Sequence, residues 1–205
     1  GTDADLFTIG ARVAMDLDEN WKALVEAAPQ FGNRNSQQHL AFGGKARLAY
    51  HLNDAWNNDI HCAYEYLSGD NPGTAQSEQF DQLWGRWPQF SELYVYPTAR
   101  ETRVGEVVNM HRVNVGWGFH PMEDLDCSFD YHVLFRDQDY SNQNGRTNIA
   151  GGCVKGHLLA AVAKYRFNEH ISTHVLGEIF FPGGYWNDSA NEVAGFFRWE
   201  VAFGW

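Results

Sequence analysis

The chain has 205 residues, and 15 Lys and Arg against 26 Asp and Glu leave a formal net charge of -11. That balance argues against nucleic acid as a partner, because phosphate binding needs a clustered basic surface, and the lack of any run of about 18 apolar residues excludes a transmembrane helix. It leaves room for a membrane barrel, whose strands are apolar on one face only, and 15% aromatic residues with eight Trp and 20 Gly suit long sheets with aromatic belts.

The first element in chain order is a strand over 7–17, where Phe7, Ile9, Ala11, Val13, Met15 and Leu17 alternate with Thr8, Gly10, Arg12, Ala14 and Asp16. A helix of period 3.6 would not sort residues this way. The same period of two predicts strands over 21–31, 40–52, 60–66, 107–119, 127–135, 157–167, 171–181 and 197–205. The segment 157–167 is the weakest, since Leu158 and Val162 fall on its polar side. Nine strands result, mostly of the length of a tilted membrane strand and longer than is usual in soluble sheets. No linker divides them, so residues 1–205 read as one domain. Cys62, Cys127 and Cys153 lie far apart without a C-x-x-C pair, which predicts three separate thiols. No signal peptide is visible at Gly1, so an exported protein would be numbered from after its removal or from inside a longer chain.

Alternation alone does not say which face points outward, but three features do. Connections at 18–20, 53–58, 120–125 and 168–170 are short, whereas those at 32–38, 68–103, 137–152 and 182–192 are mostly longer and rich in Gly, Asn, Asp and Ser, the asymmetry of outer-membrane barrels. Aromatics collect at strand ends on the apolar face, with Trp21, Tyr50, Trp117, Tyr165 and Trp205 near short turns and Phe31, Tyr64, Tyr131 and Phe181 near long loops; these predict two interfacial girdles. The sequence also stops on an aromatic in mid-alternation. The prediction is an all-β, antiparallel transmembrane barrel segment whose apolar face meets lipid. The long stretch 68–103 is expected to be one folded extracellular excursion, since one more crossing would swap the sides of every later turn.

Charge sorting agrees. Nine bases share the polar parity of the strands, among them Arg12, Lys45, Arg47, Arg112, Arg136, Lys164, Arg166 and Arg198, and only Lys155 carries the apolar parity. A midplane base facing lipid would cost about 2 to 4 kcal/mol. The eight named bases are the candidate pore-lining residues, with Arg47 beside Lys45 and Arg112 beside Arg136 preferred because their faces carry the fewest acids. Two roles stay open: a ladder of weak sites for substrate carboxylates, or ion pairs with inward acids that brace the wall.

Nine His are scattered without metal-ligand spacing, so they read as polar lining. Asp137 and Asp139, with Ser141 and Asn144, offer hard oxygens for calcium at an extracellular loop, although Gly145 falls too late for an EF-hand and a plain solvated loop is the simpler reading. Otherwise no metal or cofactor is expected. No nucleophile-elbow, P-loop or dinucleotide glycine motif is present, and no inward pair of acids stands out as a catalytic pair. The chain does not read as an enzyme.

The run EQFDQLWGRWPQFSELYVY (78–96), with HRVNVGWGFHP (111–121), GHLLAAVAKYRFNEHISTHVLGEIFFPGGYW (156–186) and FFRWE (196–200), resembles the alginate export β-barrel family of Gram-negative outer membranes. The resemblance covers roughly 48–205. It implies an eighteen-stranded barrel that conducts an anionic polysaccharide passively through a charged lumen, with loops restricting the mouth, in contact with the lipid bilayer and lipopolysaccharide. Two departures bear on it. Nine strands are an odd count, which predicts a missing N-terminal half or a partner chain; and the polar faces carry nearly as many acids as bases, so no strongly positive lumen is evident. Two other readings are a structural outer-membrane barrel without transport, which single-channel conductance would separate, and a soluble polysaccharide-binding or lyase β-sandwich, which detergent dependence would separate.

Overall fold

The computed structural model describes residues 3–83, 90–93, 107–141 and 148–204. Trp84, Trp87, Tyr94, Tyr96, Asn144, Gly145 and Trp205 lie outside the described residues. The period-two segments form β1 (Ala4–Thr8), β2 (Ala11–Asp16), β3 (Trp21–Arg34), β4 (Gln37–His51), β5 (Asp59–Leu67), β6 (Met110–Met122), β7 (Leu125–Phe135), β8 (Val154–Arg166), β9 (Ile171–Pro182) and β10 (Ala194–Phe203). They make one antiparallel sheet in which each strand from β3 onward pairs with its neighbour in sequence, while β1 and β2 both pair with β3. Among the described residues no ladder joins β1 or β2 to β10, so the sheet is not closed on itself.

The predicted strand over 7–17 appears as two pieces, and Pro29 explains the break. Thr8 faces Gln30 and Ala11 faces Ala27, so both pieces hold one register and the gap falls opposite Pro29. Proline has no N–H to give the ladder; Ile9 still donates to the Pro29 carbonyl at 3.2 Å. The apolar parity faces outward: Phe197 is 71% exposed, Trp199 66% and Phe203 69%, whereas Gln30 is 0% and Glu178 3% exposed. A soluble sandwich would have to enclose those aromatics. An apolar face of this extent marks a surface of contact with another apolar phase or partner. Rings meet along it at both ends, Trp21 with Tyr50 (4.8 Å) and Trp117 with Phe119 (4.4 Å) at one, Phe7 with Phe31 (5.8 Å) and Phe42 with Tyr66 (6.1 Å) at the other.

Four details differ from the sequence reading. The connection over 32–38 is a tight hairpin: β3 runs on to Arg34, which faces Gln37, and Asn35 and Ser36 turn the chain with φ of 49° and 65°, the positive pair that matches strand twist. The strand expected at 107–119 starts at Met110, because Val107 and Val108 are buried against the sheet instead of extending it. Lys155 points inward, not outward. The register of β7 against β8 slips between Leu134 and Phe135, pairing them with Gly156 and Val154, and the extra residue turns Lys155 to the inside, where its Nζ donates to the Val108 carbonyl at 3.1 Å. Finally, the inner face is not polar throughout. Inward Met110, Leu134, Leu158 and Phe180 form a buried cluster with Leu93 and Val107, which accounts for the apolar Leu158 on the polar side of its strand.

Candidate functional site

Gln30, near the top of β3, exchanges two hydrogen bonds with the backbone of Asp81, its Nε2 donating to the carbonyl at 2.7 Å and its Oε1 accepting from the amide at 2.7 Å. Arg34 pairs with the carboxylate of the same Asp81. Phe80 lies on Gly43 of β4, where a Cβ would come within 2.7 Å of its ring. The described part of the stretch 68–103 therefore packs on the inner face of the sheet.

Residues 90–93 reach the far wall. Phe90 lies over the Arg112 guanidinium at 4.5 Å and beside His132 at 5.6 Å. Ser91 Oγ (3.0 Å) and the Leu93 amide (2.6 Å) donate to Glu178 Oε2, and the Glu92 amide lies 3.2 and 3.1 Å from the two carboxylate oxygens. Glu92 Oε1 receives Arg198 Nη1 at 2.6 Å. Between this segment and β6 to β10 lies a cavity of about 920 Å³, lined by Arg112, Lys164 and Arg198 together with Glu92, Asp130 and Glu178.

Three of the eight predicted pore-lining bases thus meet at one cavity. Arg112 is half of a cross-strand pair with Glu65 (2.8 Å), directly opposite it on β5, and its Nη1 lies 3.1 Å from His132 Nδ1. Arg198 also donates to His174 at 2.7 Å. The other five are spread out. Arg47 is exposed and pairs with Asp59 at 3.4 Å; Arg166 is exposed and pairs with Asp124 at 2.8 Å; Arg136, just beyond β7, donates to the Gly152 carbonyl at 3.0 Å and pairs with Asp139 at 3.2 Å. Arg12 and Lys45 face Glu26 from opposite sides in register. Neither these two nor Lys164 forms an ion pair with a described residue. Asp137 accepts from the Gly69 amide (2.9 Å) and Tyr66 hydroxyl (3.1 Å). The Asp139 carboxyl is held below the usual range chiefly by hydrogen bonds from Ser141, first from its backbone.

Sequence reasoning missed a second feature of the inner face. His61 on β5 reaches across β6 to Asp130 on β7, its Nε2 3.0 Å and its Nδ1 3.2 Å from the carboxylates of Asp130 and Asp59. The crossing exists because Gly116 lies between: a Cβ there would come within 2.3 Å of both His61 Nε2 and Asp130 Oδ1. The signal was present in VGWGF, which puts two glycines on the polar parity of one strand.

A family model described as "Alginate export" matches residues 2–197. No curated protein matches the sequence. Among solved structures, one titled "NanC porin structure in rhombohedral crystal form" superposes with a TM-score of 0.51 at 14% identity, covering 98% of this chain and 79% of its own; at that identity it speaks for the porin-type barrel fold alone. With nearly its whole length matched, the chain belongs to the alginate export family.

Proposed function

We propose that the chain forms the wall of an outer-membrane pore through which an anionic polysaccharide passes without catalysis. The observation that carries this is the inversion of polarity, an exposed apolar outer face over an inner face where Arg112, Lys164 and Arg198 share one cavity. Acids stand among those bases, so each contact to a substrate carboxylate is weak, which suits a polymer that must move on. Lys164, with Lys45 and Arg12, is the better candidate for such contacts, since Arg112 and Arg47 already hold Glu65 and Asp59. The outer face meets bilayer and lipopolysaccharide in this reading. Open edges in lipid would leave unpaired N–H and C=O groups at several kcal/mol each, so further strands, from a longer chain or a partner, complete the wall.

Reconstitution in planar bilayers under a salt gradient tests it. Expected are single-channel steps and an anion-favouring reversal potential that moves toward zero in Lys164→Ala and Lys45→Ala and weakens at high salt. A protein that inserts but never conducts would sink the reading. The second reading, a barrel that spans without transporting, is favoured by one observation, the buried cluster of Leu93 with Leu134, Leu158 and Phe180 inside the wall.

A further inference from the structure

Residues 90–93 belong to no strand and lie within the long connection between β5 and β6, yet Ser91 and Leu93 are buried. We propose that Glu178 is the positioning residue that anchors this segment across the inner face, and that the anchor sets the width of the path; the clause on width rests on the pore reading above.

Glu178 stands at mid-strand in β9, opposite Ala160 on β8 and Phe196 on β10, and is 3% exposed. A carboxylate removed from water this far is costly unless its lone pairs are met. Among the described residues no base forms an ion pair with it, and its hydrogen bonds come from the segment: the Ser91 hydroxyl and the amides of Glu92 and Leu93. Two successive backbone N–H groups and a hydroxyl converging on one carboxylate make a small anion-binding concavity, and hydrogen bonds to a charged acceptor are about twice as strong as neutral ones. The flanking contacts are weaker anchors. Arg198 and Glu92 are each more than a third exposed on their side chains, where ion pairs contribute little, and Phe90 adds ring contacts to Arg112 and His132. The carboxylate thus works in reverse of the expected lumen acid: it holds the chain's own backbone, and the cavity of about 920 Å³ is the space left beneath.

Glu178→Ala and Glu178→Gln, refolded in detergent and inserted in bilayers, test this with two readouts. Amide hydrogen exchange at Glu92 and Leu93 should quicken at least tenfold in Glu178→Ala and less in Glu178→Gln, which keeps an acceptor oxygen without the charge, while the amides of β8 and β9 keep their wild-type rates. Single-channel conductance should rise in the same order. Wild-type exchange at Glu92 and Leu93 in Glu178→Ala overturns the anchor; faster exchange with unchanged conductance overturns its control of width. If wild-type protein does not conduct at all, the pore reading fails, and the exchange rates alone decide the anchor.

Discussion

Arg112 and Arg47 stand on the same inward parity, each paired with an acid of β5, and yet one is buried and the other open. Arg112 keeps 11% of its side chain in solvent beneath Phe90 and beside His132, whereas Arg47 keeps 43% while it meets Asp59. The two walls have the same alternation and the same kind of pair. What differs is cover, because Phe90 lies over the first, whereas the second stays exposed. Alternation decides which face a side chain takes; what is laid on that face decides how much its charge matters.

The largest effect that could break this comparison comes from removing the covered base. Arg112→Ala leaves Glu65 and His132 without their partner at a largely buried position, and the cost should be about 3 kcal/mol, as for other buried pairs that lose one member. Arg47→Ala should cost under about 0.5 kcal/mol, the range of exposed pairs. Urea unfolding of both variants in the same micelles measures the difference. Equal losses would mean that the cover does nothing.

Next in size is the crossing of β6 by His61. Gly116→Ala puts a methyl where His61 Nε2 and Asp130 Oδ1 now lie, and overpacking of this kind costs about 2 kcal/mol. The loss should nearly vanish when His61→Ala is already present, since the ring that must move is gone; a double-mutant cycle shows it as a coupling energy. Additive losses would place the strain elsewhere, in the backbone of β6.

Both features show where sequence stops being legible. The faces were readable because a lipid-facing charge is penalised at every strand, so the rule is repeated along 197–205 and 7–17 alike. Lys155 escaped it because a slip of one residue against Leu134 and Phe135 is a backbone event that leaves no mark in the alternation. The hairpin at Asn35 and Ser36 was hidden by the polar run 33–38, which reads as loop although its residues continue two strands. The segment 90–93 was expected to pack, but its partner Glu178 lies 85 to 87 positions further on, and no local pattern encodes so distant a contact. The bases gathered at the cavity, Arg112, Lys164 and Arg198, are three of those the parity picked out; of the acids weighed as their partners, register supplies Glu65 to Arg112, whereas Arg198 meets Glu92 of the segment laid over the wall, a contact that parity does not encode.

The smallest expected effect lies on the uncovered side, in the turn between β4 and β5, and it is one of pH. Asp54 is fully exposed, and its carboxylate closes the turn by accepting from the amides of Trp56 (3.2 Å) and Asn58 (3.0 Å) and from the Asn58 side chain (2.6 Å), the usual way an aspartate stabilises a turn. Hydrogen bonds from Asn58, the backbone amide first, hold this carboxyl below the usual range. A carboxyl whose folded-state value is depressed favours folding above its unfolded value of about 3.9, and that contribution is lost as pH falls through the lower folded-state value. The midpoint of unfolding of wild type should therefore exceed that of Asp54→Ala slightly at neutral pH, and the gap should shrink below about pH 4. A gap that stays constant down to pH 2 would show that the charge of Asp54 adds nothing to the turn, and that exposed hydrogen bonds on this side of the wall are as weak as its exposed ion pairs.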